Sequence, residues 1–261
     1  MSVTAVINQK GGVGKTTTVM NLGAALAERG KKTLLVDLDP QGNLTSHAGA
    51  DADAAGRTVY DVLLGEATLL DVLLPAAEKN LWVIPSNIDL AAAEIELVGR
   101  EKREIILRDA LEVLKGEGDL GRAPRFEQIL VDCPPSLGLL SVNALAAADA
   151  VMVPMQAEFF ALQGMARLLE TVDLVRKSVN PRLRFDGVVP CKVDRRPKLT
   201  QEVLDEIRKH FPDQLYDVSI RPNVKLAEAP SFGRSVLSYD PASHGAEDYR
   251  ALAREFLGEK R

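Results

Sequence analysis

Six short apolar runs punctuate the chain, at residues 3–7, 33–37, 81–85, 128–132, 150–154 and 183–189. Each is short enough for a strand buried on both faces. Between them lie segments whose apolar positions return every three or four residues, the period of a helix with one buried side. The first carries Val19, Met20, Leu22, Ala25 and Leu26, and Gly30 reads as its terminating cap. Others are predicted over 91–98, 102–114, 162–175, 199–211 and 245–257. In 162–175 a stripe of Leu162, Met165, Leu168, Leu169 and Val172 is best read as core packing. Residues 122–125 read as a loop feeding the 128–132 strand. Alternating strand and helix patterns predict an α/β fold, a mostly parallel twisted sheet with helices on both faces. No repeat, low-complexity stretch or linker interrupts the pattern, so residues 1–261 are expected to form a single domain.

Composition narrows the class. Hydrophobic residues make up 46% of the chain but aromatics only 5%, so aliphatic side chains must fill the core. Cys133 and Cys191 stand far apart and in no CxxC, which offers neither a disulfide framework nor a metal site. They are expected to be small buried hydrophobes. The first strand begins within a few residues of Met1, and no apolar run approaches the ~20 residues of a membrane span. A cytoplasmic location is the expectation. The net charge of −5 argues against a generally basic, nucleic-acid-coating protein. It hides an asymmetry: residues 176–234 hold 13 Lys/Arg against 8 Asp/Glu, while the rest hold 19 against 29. A basic segment in an acidic chain is a modest signal for an anionic partner.

The chemistry concentrates at Asn8-Gln9-Lys10-Gly11-Gly12-Val13-Gly14-Lys15-Thr16-Thr17, between the first strand and the first helix. Strand, glycine-rich loop and helix N-terminus together form a phosphate-binding loop. Backbone N–H groups of Gly11, Gly12, Val13 and Gly14 can turn onto phosphate oxygens, helped by the helix dipole. Lys15 would reach the β- and γ-phosphates, the Thr16 hydroxyl would ligate Mg²⁺, and Thr17 completes the nucleotide-binding run. ATP and Mg²⁺ are therefore the expected cofactors. Carboxylates are needed at neighbouring strand ends, where open α/β sheets place their ligands. Asp132 ends an apolar run and precedes Cys133-Pro134-Pro135, a Walker-B-like position that would hold Mg²⁺. Asp37 and Asp39 share one side of an extended chain before Pro40 and Gly42 bend it away.

The common loop pattern, Gly-x4-Gly-Lys-[Ser/Thr], would need glycine at Gln9, and a second lysine, Lys10, stands five residues before Lys15. This deviant Walker A loop resembles that of the ParA/MinD class of dimerising P-loop ATPases. The resemblance runs through Val36-Asp37-Leu38-Asp39-Pro40-Gln41-Gly42-Asn43 and residues 153–164. It continues in Asn223-Val224-Lys225-Leu226-Ala227-Glu228-Ala229-Pro230-Ser231-Phe232-Gly233, which is similar to the partition (ParA/Soj) branch. It implies an ATP-sandwich homodimer in which Lys10 reaches the partner's phosphates. It also implies that Asp39 is associated with the attacking water and that Asp37 supports Mg²⁺ and the switch. Non-specific double-stranded DNA, contacted by Arg196, Arg221 and Lys225, and a ParB-type centromere-binding protein are the implied partners, on the nucleoid. One departure stands out: the family's Ile-Pro-Arg-Asn-Val appears here as Ile220-Arg221-Pro222-Asn223-Val224, displacing the arginine by one residue. Segments 190–194 and 220–224 are the implied walls of the base site. The alternative, a MinD-like membrane-cycling ATPase, needs a basic amphipathic terminal helix. Here Glu255 and Glu259 flank the Leu252, Phe256 and Leu257 stripe, which reads as a docked helix. A metal-cluster carrier of similar fold would need paired cysteines, which Cys133 and Cys191 do not supply.

Overall fold

The strand carrying the glycine-rich loop, β1 (Ser2–Val6), lies inside a seven-stranded sheet of order β3-β4-β2-β5-β1-β6-β7. The other strands are β2 (Thr33–Asp37), β3 (Leu74–Pro75), β4 (Leu81–Ile84), β5 (Gln128–Asp132), β6 (Ala150–Gln156) and β7 (Arg184–Cys191). The computed structural model describes residues 1–115, 123–158, 161–193 and 198–259. The loop predicted over 122–125 lies partly outside the described residues, and Arg196 wholly so. All neighbouring strands are parallel except the short β3–β4 pair.

The helices are α1 (Lys15–Glu28), α2 (Asn43–His47), α3 (Ala52–Ala55), α4 (Val59–Leu64), α5 (Leu90–Glu96), α6 (Ile106–Glu112), α7 (Leu139–Ala147), α8 (Ala161–Ser178), α9 (Lys198–His210), α10 (Val224–Glu228), α11 (Val236–Tyr239) and α12 (His244–Phe256). They divide the core into two layers. Val59, Leu90, Leu107, Leu140, Met165 and Ile207 from α4 to α9 cover one face of the sheet. Val19, Leu22, Leu26, Leu44, Val236 and Leu252 from α1, α2, α11 and α12 cover the other. Strand after strand is buried on both sides, which is why the sequence shows continuous apolar runs instead of alternation. Both cysteines are buried in these layers.

The predicted helix over 102–114 is a correction. It is split into a 3₁₀ turn (Arg103–Ile105), α6, and a second 3₁₀ turn (Val113–Lys115). Lys102, at φ +58°, delays the start by one residue, and the interruption falls at Ile105, whose φ −125° and ψ 11° leave the helical region before α6 begins. Gly30 caps α1 as predicted, at φ +82° with its N–H on the Ala27 carbonyl.

His47, at the end of α2, is buried with its Nε2 unpartnered, and burial lowers its pKa to about 4. The Arg234 backbone opposes this only weakly. Below the ordinary value of 6.5 the unfolded chain takes up a proton that the folded chain refuses. Stability is therefore whole above that pH and falls as pH drops toward 4, by about 3 kcal/mol over the window. His47→Gln should remove this component. Melting both proteins at pH 7.5 and pH 5 checks it, and an equal loss in both would place the acid sensitivity elsewhere.

Candidate nucleotide site

Strand register assembles the site. Val6 lies beside Asp132 in the β1–β5 pair, and Asp37 lies beside Asp132 in the β2–β5 pair. Three strand ends thus deliver the start of the loop and two carboxylates to one edge of the sheet. The loop then turns through Gly12 at φ +73° and Gly14 at φ +101°, values that an L side chain adopts only with strain. A Cβ placed on Gly11 or Gly12 would meet no protein atom within 4 Å, so the loop's outer rim is open. Gly14 gives way to α1, and the first N–H groups of that helix face the loop without a side-chain cap.

The carboxylates sit in different environments. Asp37 is fully buried and accepts three hydrogen bonds: from Thr45 N (2.8 Å), Thr45 Oγ1 (2.7 Å) and Asp39 N (3.1 Å). Thr45 Oγ1 in turn accepts from Ser86 N at 2.9 Å, and Ser86 Oγ donates to the Asp39 carbonyl at 2.9 Å. Asp37 therefore holds the loop after β2 in place. Asp39 is half-buried and accepts from Gln41 N at 3.0 Å. Asp132 is fully buried, and neither of its carboxylate oxygens has a hydrogen-bond partner.

Burial pushes Asp37 up to about 6 against the lowering effect of its Thr45 hydrogen bonds. It pushes Asp132 well above the carboxylate range, with the Asp37 charge adding and the facing Thr16 hydroxyl and Lys15 opposing. Lys15 is buried and its pKa is lowered by desolvation, resisted by Asp132, Asp39 and Cys133. An unpartnered buried carboxylate beside a threonine hydroxyl and a desolvated lysine suits a bound cation with a polyanion. The residues present fit Mg²⁺.

Beyond the loop lies a cavity of about 350 Å³ lined by Val13, Gly14, Thr17, Lys192, Asn223 and Tyr249, among others. Isolated parallel bridges between Cys191 and Ile220 and between Val188 and Leu215 bring the 220–223 segment alongside β7. Both segments assigned to the base site by resemblance meet there.

Chromosome partitioning protein ParA of Caulobacter vibrioides is 48% identical over 261 residues, covering 100% of this chain and 96% of that protein. The sporulation initiation inhibitor protein Soj of Bacillus subtilis is 48% identical over 253 residues, 97% of each chain. The chain belongs to the ParA/Soj family of chromosome-partitioning ATPases. A family model described as an AAA domain matches residues 1–185. Among solved structures, cobyrinic acid a,c-diamide synthase from Mycobacterium smegmatis, with bound ATP analogue and magnesium, superposes with a TM-score of 0.83 at 38% identity. That likeness covers 98% of this chain and 94% of the other.

Against this ParA/Soj background the remaining predicted residues divide. Lys10 projects from the loop and pairs with Glu158 of the same chain, both side chains being about half exposed. Arg221 is tightly held. Its guanidinium meets Asp248 at 2.6–3.0 Å and Glu247 at 3.1 Å, and its N–H also donates to Asp248. Lys225 pairs with Glu228 at 2.9 Å and lies over the Tyr239 ring.

Lys192 falls within the 190–194 segment implied by resemblance, but sequence reasoning gave it no individual role. It adopts φ +53° directly after β7, lines the cavity, and donates from Nζ to the Gly12 carbonyl at 2.8 Å. Gln156, with its amide turned to satisfy its neighbours, accepts from Lys192 at 3.1 Å and donates to Glu158 at 2.7 Å. A contact spanning 180 residues leaves no local signal. Lys192→Met should weaken nucleotide binding about fivefold with little change in kcat, and Lys192→Arg should restore most of it. Isothermal titration alongside steady-state rates checks this; unchanged affinity in Lys192→Met would make the contact incidental.

Proposed function

We propose that residues 1–261 act as one nucleotide-gated partition switch. The chain binds Mg·ATP at residues 10–17, dimerises on it, and in that state holds non-specific double-stranded DNA on the nucleoid. A ParB-type centromere-binding protein then stimulates a slow hydrolysis that resets it. The observation carrying the nucleotide part is Asp132, buried, unpartnered and faced by Thr16 and Lys15. Thr16 and Asp132 would hold the ion, with Asp37 acting through the loop it anchors. Bound there, Mg²⁺ would supply charge neutralisation of the β- and γ-phosphate oxygens. Lys15 compensates the same charge from the protein, and the loop's N–H groups orient the phosphates. Asp39, half-buried at the bend after β2, would position the attacking water.

Lys10 supports the dimer. An exposed ion pair such as Lys10–Glu158 is worth at most about 1 kcal/mol, so a partner's triphosphate can take the lysine readily. Two lysines per triphosphate then neutralise charge that a single loop leaves uncompensated, which makes the γ-phosphate favour the paired state. Pairing doubles the cations that one rigid surface offers to DNA, and each phosphate contact adds counterion release. Of the residues assigned to that surface, Lys225 is the readier contributor. Arg221 is saturated by a carboxylate that is itself only 10% exposed.

The last helix bears on the membrane-cycling rival. Leu252 and Ala253 of α12 are fully buried, and Arg250 pairs with Glu28 of α1. Its apolar side is already spent on the core. No helix among the described residues is long and apolar enough to cross a membrane.

Asp39→Ala tests the hydrolytic assignment. It should bind ATP normally, turn over at least about tenfold more slowly, and accumulate as an ATP-loaded dimer in light scattering. Unchanged turnover would move the water to another residue.

A further inference from the structure

Ile220, Arg221, Pro222 and Asn223 form one continuous wall of the cavity of about 350 Å³ beside the phosphate-binding loop. Each end of this wall is pinned. Ile220 N donates to the Pro190 carbonyl at 2.8 Å, and the Ile220 carbonyl accepts from Val193 N at 3.0 Å. At the other end Asn223 Oδ1 accepts from Lys225 N at 2.8 Å and starts α10. Pro222 brings no N–H. Between those ends the hydrogen bonds that tie the wall to the rest of the described residues come from Arg221. Its backbone N–H donates to Asp248 Oδ2 at 2.9 Å, its Nε meets both Asp248 oxygens at 3.0 Å, and its Nη2 meets Oδ1 at 2.6 Å. Among the described residues the Asp248 carboxylate accepts from no other group. Asp248 sits on α12 next to Tyr249, which is buried, shares a hydrogen bond with Thr18 of α1 at 3.2 Å and lines the same cavity. The start of α12 also backs the wall directly. A Cβ on Gly245 would come within 2.9 Å of Leu226 Cγ and 3.1 Å of Asn223 Nδ2.

We propose that Arg221 is a positioning residue of the nucleotide site: through Asp248 it fixes the 220–223 wall against α12, and so sets the affinity for the nucleotide's base, leaving DNA to other cations. The inference rests on the reading that this cavity receives the base. A wall that is ordered beforehand takes nothing from the binding free energy, whereas a loose one must be ordered by the ligand itself. The guanidinium suits this task, because a planar fork on one carboxylate fixes direction as well as distance. The same contacts speak against a role on phosphate. Turning Arg221 toward DNA would leave a carboxylate that is only 10% exposed without its cation. Glu247, 3.1 Å from the same guanidinium, sets a second carboxylate against the one arginine.

The test measures the affinity for Mg·ADP by isothermal titration beside that for inorganic pyrophosphate, which fills the phosphate loop but carries no base. ADP lacks the γ-phosphate, which keeps the measurement apart from pairing. For Arg221→Met the ADP dissociation constant should rise about tenfold while that for pyrophosphate stays within about twofold. Arg221→Lys keeps the charge but offers Asp248 no fork, and should lose about threefold for ADP. Asp248→Asn, which leaves Arg221 in place, should lose about the same. Retention of duplex DNA at saturating Mg·ATP should match the parent in all three variants. Unchanged ADP affinity in Arg221→Met would overturn the proposal, and a loss of DNA retention with it would return the arginine to the DNA surface. Equal losses for ADP and pyrophosphate would overturn it too, making the clamp a general support of the fold. A parent protein that binds ADP no more tightly than pyrophosphate would instead remove the base-site reading, and the role of Arg221 with it.

Discussion

Asp132→Asn should lower Mg²⁺-dependent ATP turnover by at least about a hundredfold while making the nucleotide-free protein more heat-stable. The two effects share one cause. The carboxylate is buried without a hydrogen-bond partner and beside Asp37, so its charge is a cost to the empty fold. Its raised pKa sets the sign of the pH dependence. The folded chain keeps a proton that the unfolded chain sheds above about 3.8, so nucleotide-free stability falls as pH rises through that range. Asparagine keeps the shape and removes that slope. It also removes the charge that would hold the ion, so added Mg·ATP should no longer raise the melting temperature. Calorimetry with and without Mg·ATP, run beside a phosphate-release assay, reads all three. A nucleotide-free variant less stable than the parent, with turnover preserved, would show that Asp132 is a structural residue.

Lys10→Ala should leave ATP affinity within about threefold and abolish the ATP-dependent dimer. The lysine is about half exposed and its present partner is Glu158, so its removal leaves no buried group unsatisfied. Within its own loop the phosphates retain Lys15 and the backbone N–H groups. Its loss is felt only where a second chain presents a triphosphate. What is lost is the cation offered to the partner's triphosphate, not the cover over Glu158, so Glu158→Gln in the same background should not restore pairing. Light scattering of the variant with Mg·ATP checks the first claim, and a dimer of normal mass would refute the cross-subunit role.

The alternation that predicted a parallel sheet was legible because strands buried on both faces leave unbroken apolar runs; β2 and β5 match their predicted spans residue for residue. The loop was legible because every residue it needs is local. Short helices α2, α3, α10 and α11 escaped because four or five residues complete scarcely more than one turn, too little for a period to show. The non-helical Ile105 that breaks the 102–114 helix is likewise invisible, since the residue type does not announce the conformation. The site was half legible. Spacing placed Asp37 and Asp132 at strand ends, but not that one is satisfied by Thr45 and the other by nothing. Ion pairing decided the rest: Arg221, assigned to DNA by resemblance, has its charge matched by Asp248 and Glu247, which lie 26–27 residues further on.

Retention of non-specific duplex DNA with ATP, with ADP and without nucleotide, at two salt concentrations, tests the gated switch most directly. Binding that requires ATP and weakens steeply with salt is the predicted result. Equal binding in all three states, or none in any, would contradict it.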